Sequence, residues 1–309
     1  MSRKPVFQSI IAASIALLAC DSSVTTTAQH PGTPTRTLLT DSPFPYDQVA
    51  RVDLYVVSVS ASLSADTSAA AGGSFVTLAT PNRRINVLAL QGGVTDERGA
   101  VTIPAGAIKA VRMVIDTDSS SITLANGSVL TGNTNPGIHW QSSAGRPVLN
   151  AQIQDQIVVP DSGATVVIDF DVGRAFILPQ DVTPPSNEQG FIFSPVLSAI
   201  DAKRSASVAG TVRARSATGG AVANASLRLY VGNPNSPENN WAVIATAKSD
   251  ANGAFRFAYV PRLSLFTQAG WSYMVAADPP PGSGLGRQIV SNVSAVAGQE
   301  TAIGIVILP

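Results

Sequence analysis

The chain reads as all-β, and three observations carry that expectation. Apolar residues alternate with polar ones over most of its length, as at Val52, Leu54 and Val56 or Val166, Ile168 and Phe170; strict alternation marks a half-buried strand. Charged residues make up only 13% of the 309 positions, while glycine and proline number 25 and 21, a composition suited to strands and turns rather than helices. No stretch of a dozen residues carries the apolar stripe of an amphipathic helix.

The first twenty residues stand apart from this pattern. Arg3 and Lys4 precede an apolar run from Ile10 to Ala19, about 15 Å long as a helix and half of the roughly 30 Å hydrocarbon core. That is the layout of a secretory signal, here residues 1–19. Leu17-Leu18-Ala19-Cys20 resembles the lipobox cut by the lipoprotein signal peptidase, and Cys20 is the only cysteine in the chain. The resemblance implies a diacylglyceryl thioether on Cys20, a membrane partner through that palmitate-type lipid, and residence in a bacterial cell envelope. The alternative is an ordinary signal peptide with an incidental cysteine. Asp21 resembles an inner-membrane retention signal of enteric bacteria, a rule that does not extend to all phyla, so inner and outer membrane both stay open.

Loss of Arg3 and Lys4 with a leader leaves 18 basic against 20 acidic residues, a net charge of −2. No basic patch points to nucleic acid. A single cysteine forms no internal disulfide, so an exported chain of this kind relies on its hydrophobic core.

Residues 20–35 are small, polar and proline-containing, and read as a flexible tether behind the acylated cysteine. The strand at Arg51–Leu63 follows. Its apolar phase slips by one between Val56 and Val57, which predicts a β-bulge, because an unrelieved slip would turn the apolar set to solvent. Further strands are expected at Phe75–Ala79, Arg84–Leu90, Lys109–Asp116, Ser121–Leu124, Ala164–Val172 and Phe191–Ile200. Turn signals at Gln91-Gly92-Gly93, Pro104-Ala105-Gly106, Asn126-Gly127 and Pro184-Pro185 separate them. Residues 132–163 are irregular.

Near Asp201–Ser205 one β block gives way to another. The second block alternates at Val208, Gly210 and Val212; Leu227, Leu229 and Val231; Phe255, Phe257 and Tyr259; Tyr273, Val275 and Ala277; and Ile303, Ile305 and Ile307. This spacing predicts a small sandwich. The expected organisation is therefore two β-sandwich domains of immunoglobulin-like or transthyretin-like type, at 36–202 and 203–309, with almost no linker between them.

The first block resembles the domain of unknown function 4382 family of envelope lipoproteins. The resemblance is carried by Leu39-Thr40-Asp41-Ser42-Pro43, Tyr46-Asp47, Ile85-Asn86-Val87-Leu88, Pro104-Ala105-Gly106, Val111-Arg112-Met113, Asp169-Phe170-Asp171 and Pro195-Val196-Leu197. It implies a compartment and a β-sandwich, not a reaction. The second block resembles the carboxypeptidase regulatory-like, transthyretin-like modules, through Val208-Ala209-Gly210-Thr211-Val212, Ala225–Val231 and Ser249-Asp250-Ala251-Asn252-Gly253-Ala254-Phe255-Arg256-Phe257. In the last motif Asp250 is placed to cap a tight turn and Gly253 to take a positive φ. Such modules are non-catalytic spacers or binders with a carbohydrate-binding-like fold.

Chemistry-bearing residues are sparse. With two histidines, His30 and His139, a histidine-based zinc site is improbable, and no Gly-x-Ser-x-Gly elbow accompanies His139. Asp169 and Asp171 share a strand face and form a weak calcium candidate or an acid/base pair for hydrolysis; Asp116 and Asp118 repeat the spacing. A charged, solvated strand face is the simpler account of either pair, since neither has the Asp-x-Asp-x-Asp-Gly loop of a calcium site. Trp140, Trp241 and Trp271 are candidate glycan-stacking residues, against the alternative that tryptophans plug the ends of sandwiches. The expected function is that of a non-enzymatic, lipid-anchored envelope protein, a binding, adhesion or spacer module whose partners are a polysaccharide or another envelope protein. The alternatives are a carbohydrate-binding lipoprotein and a carboxylate-dependent hydrolase. No cofactor is implied beyond the calcium candidate.

Overall fold

The computed structural model describes residues 32–41, 48–64, 75–141, 145–179, 190–266 and 268–309. Leu17, Leu18, Ala19, Cys20, His30, most of the 20–35 tether, Tyr46-Asp47 and Pro184-Pro185 lie outside them.

Nearly all the regular structure is strand. In chain order the first block contains β1 (Thr33–Asp41), β2 (Val49–Ser62), β3 (Phe75–Ala79), β4 (Arg83–Asn86), β5 (Asp96–Ile103), β6 (Gly106–Ile108), β7 (Ala110–Leu124), β8 (Val129–Leu130), β9 (Gly137–Trp140), β10 (Val148–Ile153), β11 (Ile157–Val159) and β12 (Ala164–Phe170). A four-residue helix, α1 (Val172–Ala175), then leads to β13 (Phe176–Ile177), β14 (Gly190–Phe193) and β15 (Leu197–Asp201). The second block contains β16 (Ala206–Ala214), β17 (Ser226–Gly232), β18 (Ala242–Lys248), β19 (Ala254–Val260), β20 (Ser272–Asp278), β21 (Gln288–Val293) and β22 (Glu300–Leu308).

The main sheet of the first block runs β3-β2-β7-β10-β15-β12-β1-β5. β10 is its corner: Val148–Ala151 pair with β7, whereas Gln152 and Ile153 pair with β15. The sheet therefore folds into two layers that share β10, and at the far side Gly99 of β5 lies against Leu78 and Ala79 of β3. Between the layers sit Leu54, Met113, Ile115, Ile103, Ile168 and Phe170, all nearly inaccessible. Bringing the two outer strands together also shields edges that would otherwise recruit other chains.

The bulge expected in β2 is present. Pairing with β7 shifts register between Val56 and Ser58, so Val52, Leu54 and Val56 and then Val59 and Ala61 all reach the core. Lys109–Asp116 and Ser121–Leu124, expected as two strands, are halves of the single strand β7. Its partner positions jump from Asp116 to Ser121 opposite Tyr55 and Asp53, which loops out residues 117–120.

Other expectations are corrected. Thr33–Thr35, assigned to the tether, begin β1, and their threonine side chains are buried rather than solvated. Arg84–Leu90 does not continue as a strand. After Asn86 the chain winds into a 3-10 helix, Val87–Gly93, which turns Val87 and Leu90 inward at three-residue spacing. Phe191–Ile200 is interrupted around Pro195, which has no N–H to give a ladder, and its halves join different sheets. β5, β9, β10 and β11 arise where alternation is weak.

In the second block, β19-β16-β22 and β18-β17-β20-β21 form two sheets. They enclose a separate core of Val208, Val212, Phe257, Leu229, Tyr273 and Val306, among others. Among the described residues no strand pair crosses Ala202–Ser205, although Pro31–Pro309 forms one compact unit. Asp250 accepts from the backbone N–H of Asn252 and Ala254, both at 2.8 Å, and Gly253 takes a φ of +76°, as the turn motif requires. The final strand departs from the expected phase. Gly304 adopts a φ of +75°, and pairing with β16 skips a residue there. Val306 and Leu308 consequently enter the core, whereas Ile305 and Ile307 are 47% and 37% exposed. A similar switch at Tyr259, with a φ of +53°, buries Val260 in its place.

Candidate binding site

Three of the motif segments quoted for the first block converge at one end of it. β1 and β12 run parallel with Thr40 opposite Asp169 and Asp41 opposite Phe170. Leu197 of β15 lies on the other side of Phe170, and the Asp171 N–H donates to the Val196 carbonyl at 3.0 Å. The product of this convergence is α1. Asp41 Oδ1 accepts from the Val172 N–H at 2.9 Å, and Asp171 Oδ1 accepts from the Arg174 N–H at 3.0 Å. Two carboxylates thus satisfy the first N–H groups of one short turn, which would otherwise lack partners. Thr40 Oγ1 shares its proton between the carbonyls of Leu90 and Val94, at 3.2 and 3.1 Å, and so holds the 3-10 segment against the same end.

This end faces the second block. Gly93 packs so closely on Ala258 that a Cβ would collide with the Ala258 side chain. A small cavity there is bordered by Thr40, Asp41 and Asp169 on one side and by Ala245, Thr246 and Phe257 on the other. Burial, with a further push from Asp171 and only partial relief from Arg174, raises the Asp169 carboxyl to about 7. Burial also raises the Asp171 carboxyl, against the hydrogen bond and charge of Arg174.

Beside that cavity opens a cleft of about 600 Å³, lined by Asp171, Gly173 and Arg174 of the first block and Arg228, Ala242, Val243 and Thr246 of the second. Its size falls within the range of small-molecule sites. The walls are mostly apolar, and Val243, on the edge strand β18, is an exposed large aliphatic residue. The Thr246 hydroxyl is buried without a hydrogen-bond partner.

The remaining sequence candidates are dispersed. Trp140 packs edge-on against Phe193 and Phe176, with centroids 4.7 and 6.0 Å away. Trp241 covers Tyr230 on the outer face of the four-stranded sheet, its indole N–H donating to the Asn233 carbonyl at 2.8 Å. Trp271 stacks on Phe266 beside the second core. Trp140 packs on the first core, and Trp241 and Trp271 on two different clusters of the second block. His139 is exposed on β9. Asp116 is held by Arg146 at 3.0 Å and by the Ser119 N–H at 3.0 Å; burial works to raise its carboxyl, but these partners outweigh it and hold it below the usual range. Among the described residues no group of three or more His, Cys, Asp or Glu side chains comes together, and Asp171 already uses one oxygen as a helix cap. Six to eight oxygens for calcium are not supplied by the Asp169–Asp171 pair.

A cluster that sequence reasoning missed joins the blocks. Asp155, within the irregular interval, sits between Arg204 Nε at 3.0 Å and Arg262 Nε at 3.1 Å, and its Oδ1 accepts from the Gln156 N–H at 2.6 Å. Burial works against this carboxylate, but the two guanidinium groups and the backbone N–H hold it below the ordinary range. A lone Asp-Gln pair in a loop carries no sequence signal of such a role.

The profile of a family described as Domain of unknown function (DUF4382) matches residues 34–195. The chain belongs to that family. The matched range is close to the 36–202 expected from the motif residues. No curated protein matches the chain. Among solved structures, a 9R-lipoxygenase from Cyanothece PCC8801 aligns at 13% identity over 34% of this chain and 17% of that one, with a TM-score of 0.23. The Bacillus anthracis TIE protein aligns at 6% identity over 91% and 41%, with a TM-score of 0.24. The shaft pilin SpaA from Lactobacillus rhamnosus GG aligns at 11% identity over 89% and 97%, with a TM-score of 0.21. The fold described above rests on this chain's own strand pairings.

Proposed function

We propose that this DUF4382 protein is a non-enzymatic component of the bacterial cell envelope, anchored through a lipid on Cys20, whose β blocks serve as a binding, adhesion or spacer module. The single observation that carries the non-enzymatic reading is the use made of its acidic residues. Asp41 and Asp171 cap α1, Asp116 closes the loop in β7, and Asp155 ties the two blocks together. A hydrolase built on Asp169 and Asp171 needs both carboxylates aimed at a substrate, and one of them is already engaged by backbone. The anchoring half of the proposal is supported by Leu17-Leu18-Ala19-Cys20 behind Arg3 and Lys4. Among the described residues no helix is long and apolar enough to cross a membrane. Residues 203–309 are proposed as a carboxypeptidase regulatory-like module, a reading supported by seven strands in two sheets around their own core.

The test is fractionation of cells expressing the full chain and Cys20→Ser. Wild type is expected in the membrane fraction, labelled by a clickable palmitate analogue, and the variant in the soluble extracytoplasmic fraction without label. Equal membrane retention of both would overturn the anchor. A second reading, glycan binding, is favoured by the inter-block cleft, whose apolar wall is bordered by Arg174 and Arg228.

A further inference from the structure

We propose that the cleft between α1 and the outer face of β17 and β18 binds an acidic saccharide, a uronate-type sugar whose carboxylate is held between Arg174 and Arg228. The inference rests on the glycan-binding reading and narrows it to a ligand class and a place.

Arg204, Arg262 and Arg287 are each held within about 3 Å of a carboxylate. The two that line the cleft are not. Arg174 Nη1 stands 3.8 Å from Asp171 Oδ2, and Arg228 Nη1 stands 3.7 Å from Asp278 Oδ2. Both distances exceed hydrogen-bond reach, and Asp278 Oδ2 is buried without a hydrogen-bond partner, so Arg228 does not satisfy it. Arg228 makes one long contact to the Tyr230 hydroxyl, at 3.4 Å. A guanidinium offers five donors in a planar fork matched to a carboxylate. Two such forks with donors to spare, one from each block, border the same cleft.

The rest of the wall selects among anions. Val243 and Ala242 present an apolar patch against which the C–H face of a pyranose ring can lie. The Asp171 carboxylate, on the same lining, is an acceptor for ring hydroxyls. A bare phosphate would leave the apolar patch uncovered, and a purely apolar ligand would leave both arginines unmet. A hydroxylated carboxylate uses the two arginines, the apolar patch and the Asp171 acceptor.

The experiment uses the full chain in detergent, titrated by calorimetry with trigalacturonate, with a neutral maltotriose arm and an inorganic phosphate arm. Trigalacturonate is expected to bind, with affinity falling as salt rises. Arg174→Gln, at a side chain 58% exposed, is expected to weaken binding at least tenfold, and Arg174→Lys to restore only part of it. Circular dichroism and melting curves check that each variant is folded; if Arg228→Gln disturbs the sheet, Arg174→Gln decides. Trigalacturonate binding that Arg174→Gln leaves unchanged overturns the inference, as does phosphate binding as tightly. Binding of maltotriose alone overturns the acidic-ligand inference but leaves glycan binding standing. Failure of every saccharide to bind removes both.

Discussion

Asp169 shows how placement changes the meaning of a residue. In sequence it is one half of an acidic pair on a strand face; in the folded chain its carboxyl is enclosed where the two blocks meet, opposite Thr246 and Phe257. Asp41 and Asp171, Arg174 on the same rim and Arg256 across the cavity are the charged groups around it, and Arg256 is already engaged by Glu300 at 2.7 Å. Its native pKa near 7 lies above the ordinary 3.8, so the native state holds a proton that the unfolded chain has released. Stability should therefore be greatest at low pH with respect to this group. It should fall as pH rises from about 4 to about 7, by up to about 1.4 kcal/mol per unit, and level off above that. Urea denaturation across this range is expected to show the slope in wild type and its loss in Asp169→Asn. Identical slopes in both would mean that the carboxyl stays solvated. The roles of Asp41 and Asp155 were not legible, because a cap or a clamp depends on which backbone N–H or guanidinium the fold delivers to the carboxylate.

Elements were legible where the alternation was clean and opaque where the backbone broke it. The β2 bulge could be read directly, since an apolar phase slip leaves a mark in the residue pattern. The slip in β22 is hidden, because Ile303, Ile305 and Ile307 alternate perfectly while the chain shifts phase at Gly304. Only a residue tolerant of positive φ permits that shift, and it hands the core to Val306 and Leu308. Val306→Ala is accordingly expected to destabilise by about 1–3 kcal/mol, whereas Ile307→Ala should stay within about 0.5 kcal/mol of wild type. Chemical denaturation of the two variants distinguishes this from the simple alternation, which predicts the reverse order. Threonine-rich β1 was missed for the opposite reason. Thr33, Thr35 and Thr37 are polar by composition yet fully covered, with Thr33 Oγ1 donating to the Ile103 carbonyl at 3.2 Å.

At the scale of the whole molecule, two hydrophobic cores are joined by both apolar packing and a buried ion cluster. Asp155, 4% exposed, reaches Arg204 in the connection and Arg262 in the second block. A buried carboxylate between two cations is stabilising only while all three are present. Because the arginines are about one-third exposed, the Asp155→Ala loss should be about 2 kcal/mol, below the range for fully enclosed pairs. The variant should also be cut faster by trypsin at Lys203 and Arg204, and should melt in two steps where wild type melts in one. A single transition with wild-type cleavage would show that the blocks are held by other contacts. The sequence alone determined the all-β class, the family and most strand positions in the second block, since each is written in local periodicity or in contiguous motifs. Tertiary structure decided the cleft, the enclosure of Asp169 and the Asp155 clamp. These bring together residues far apart in the chain, and no local pattern encodes a meeting whose geometry is set by how two separately packed cores come to rest against each other.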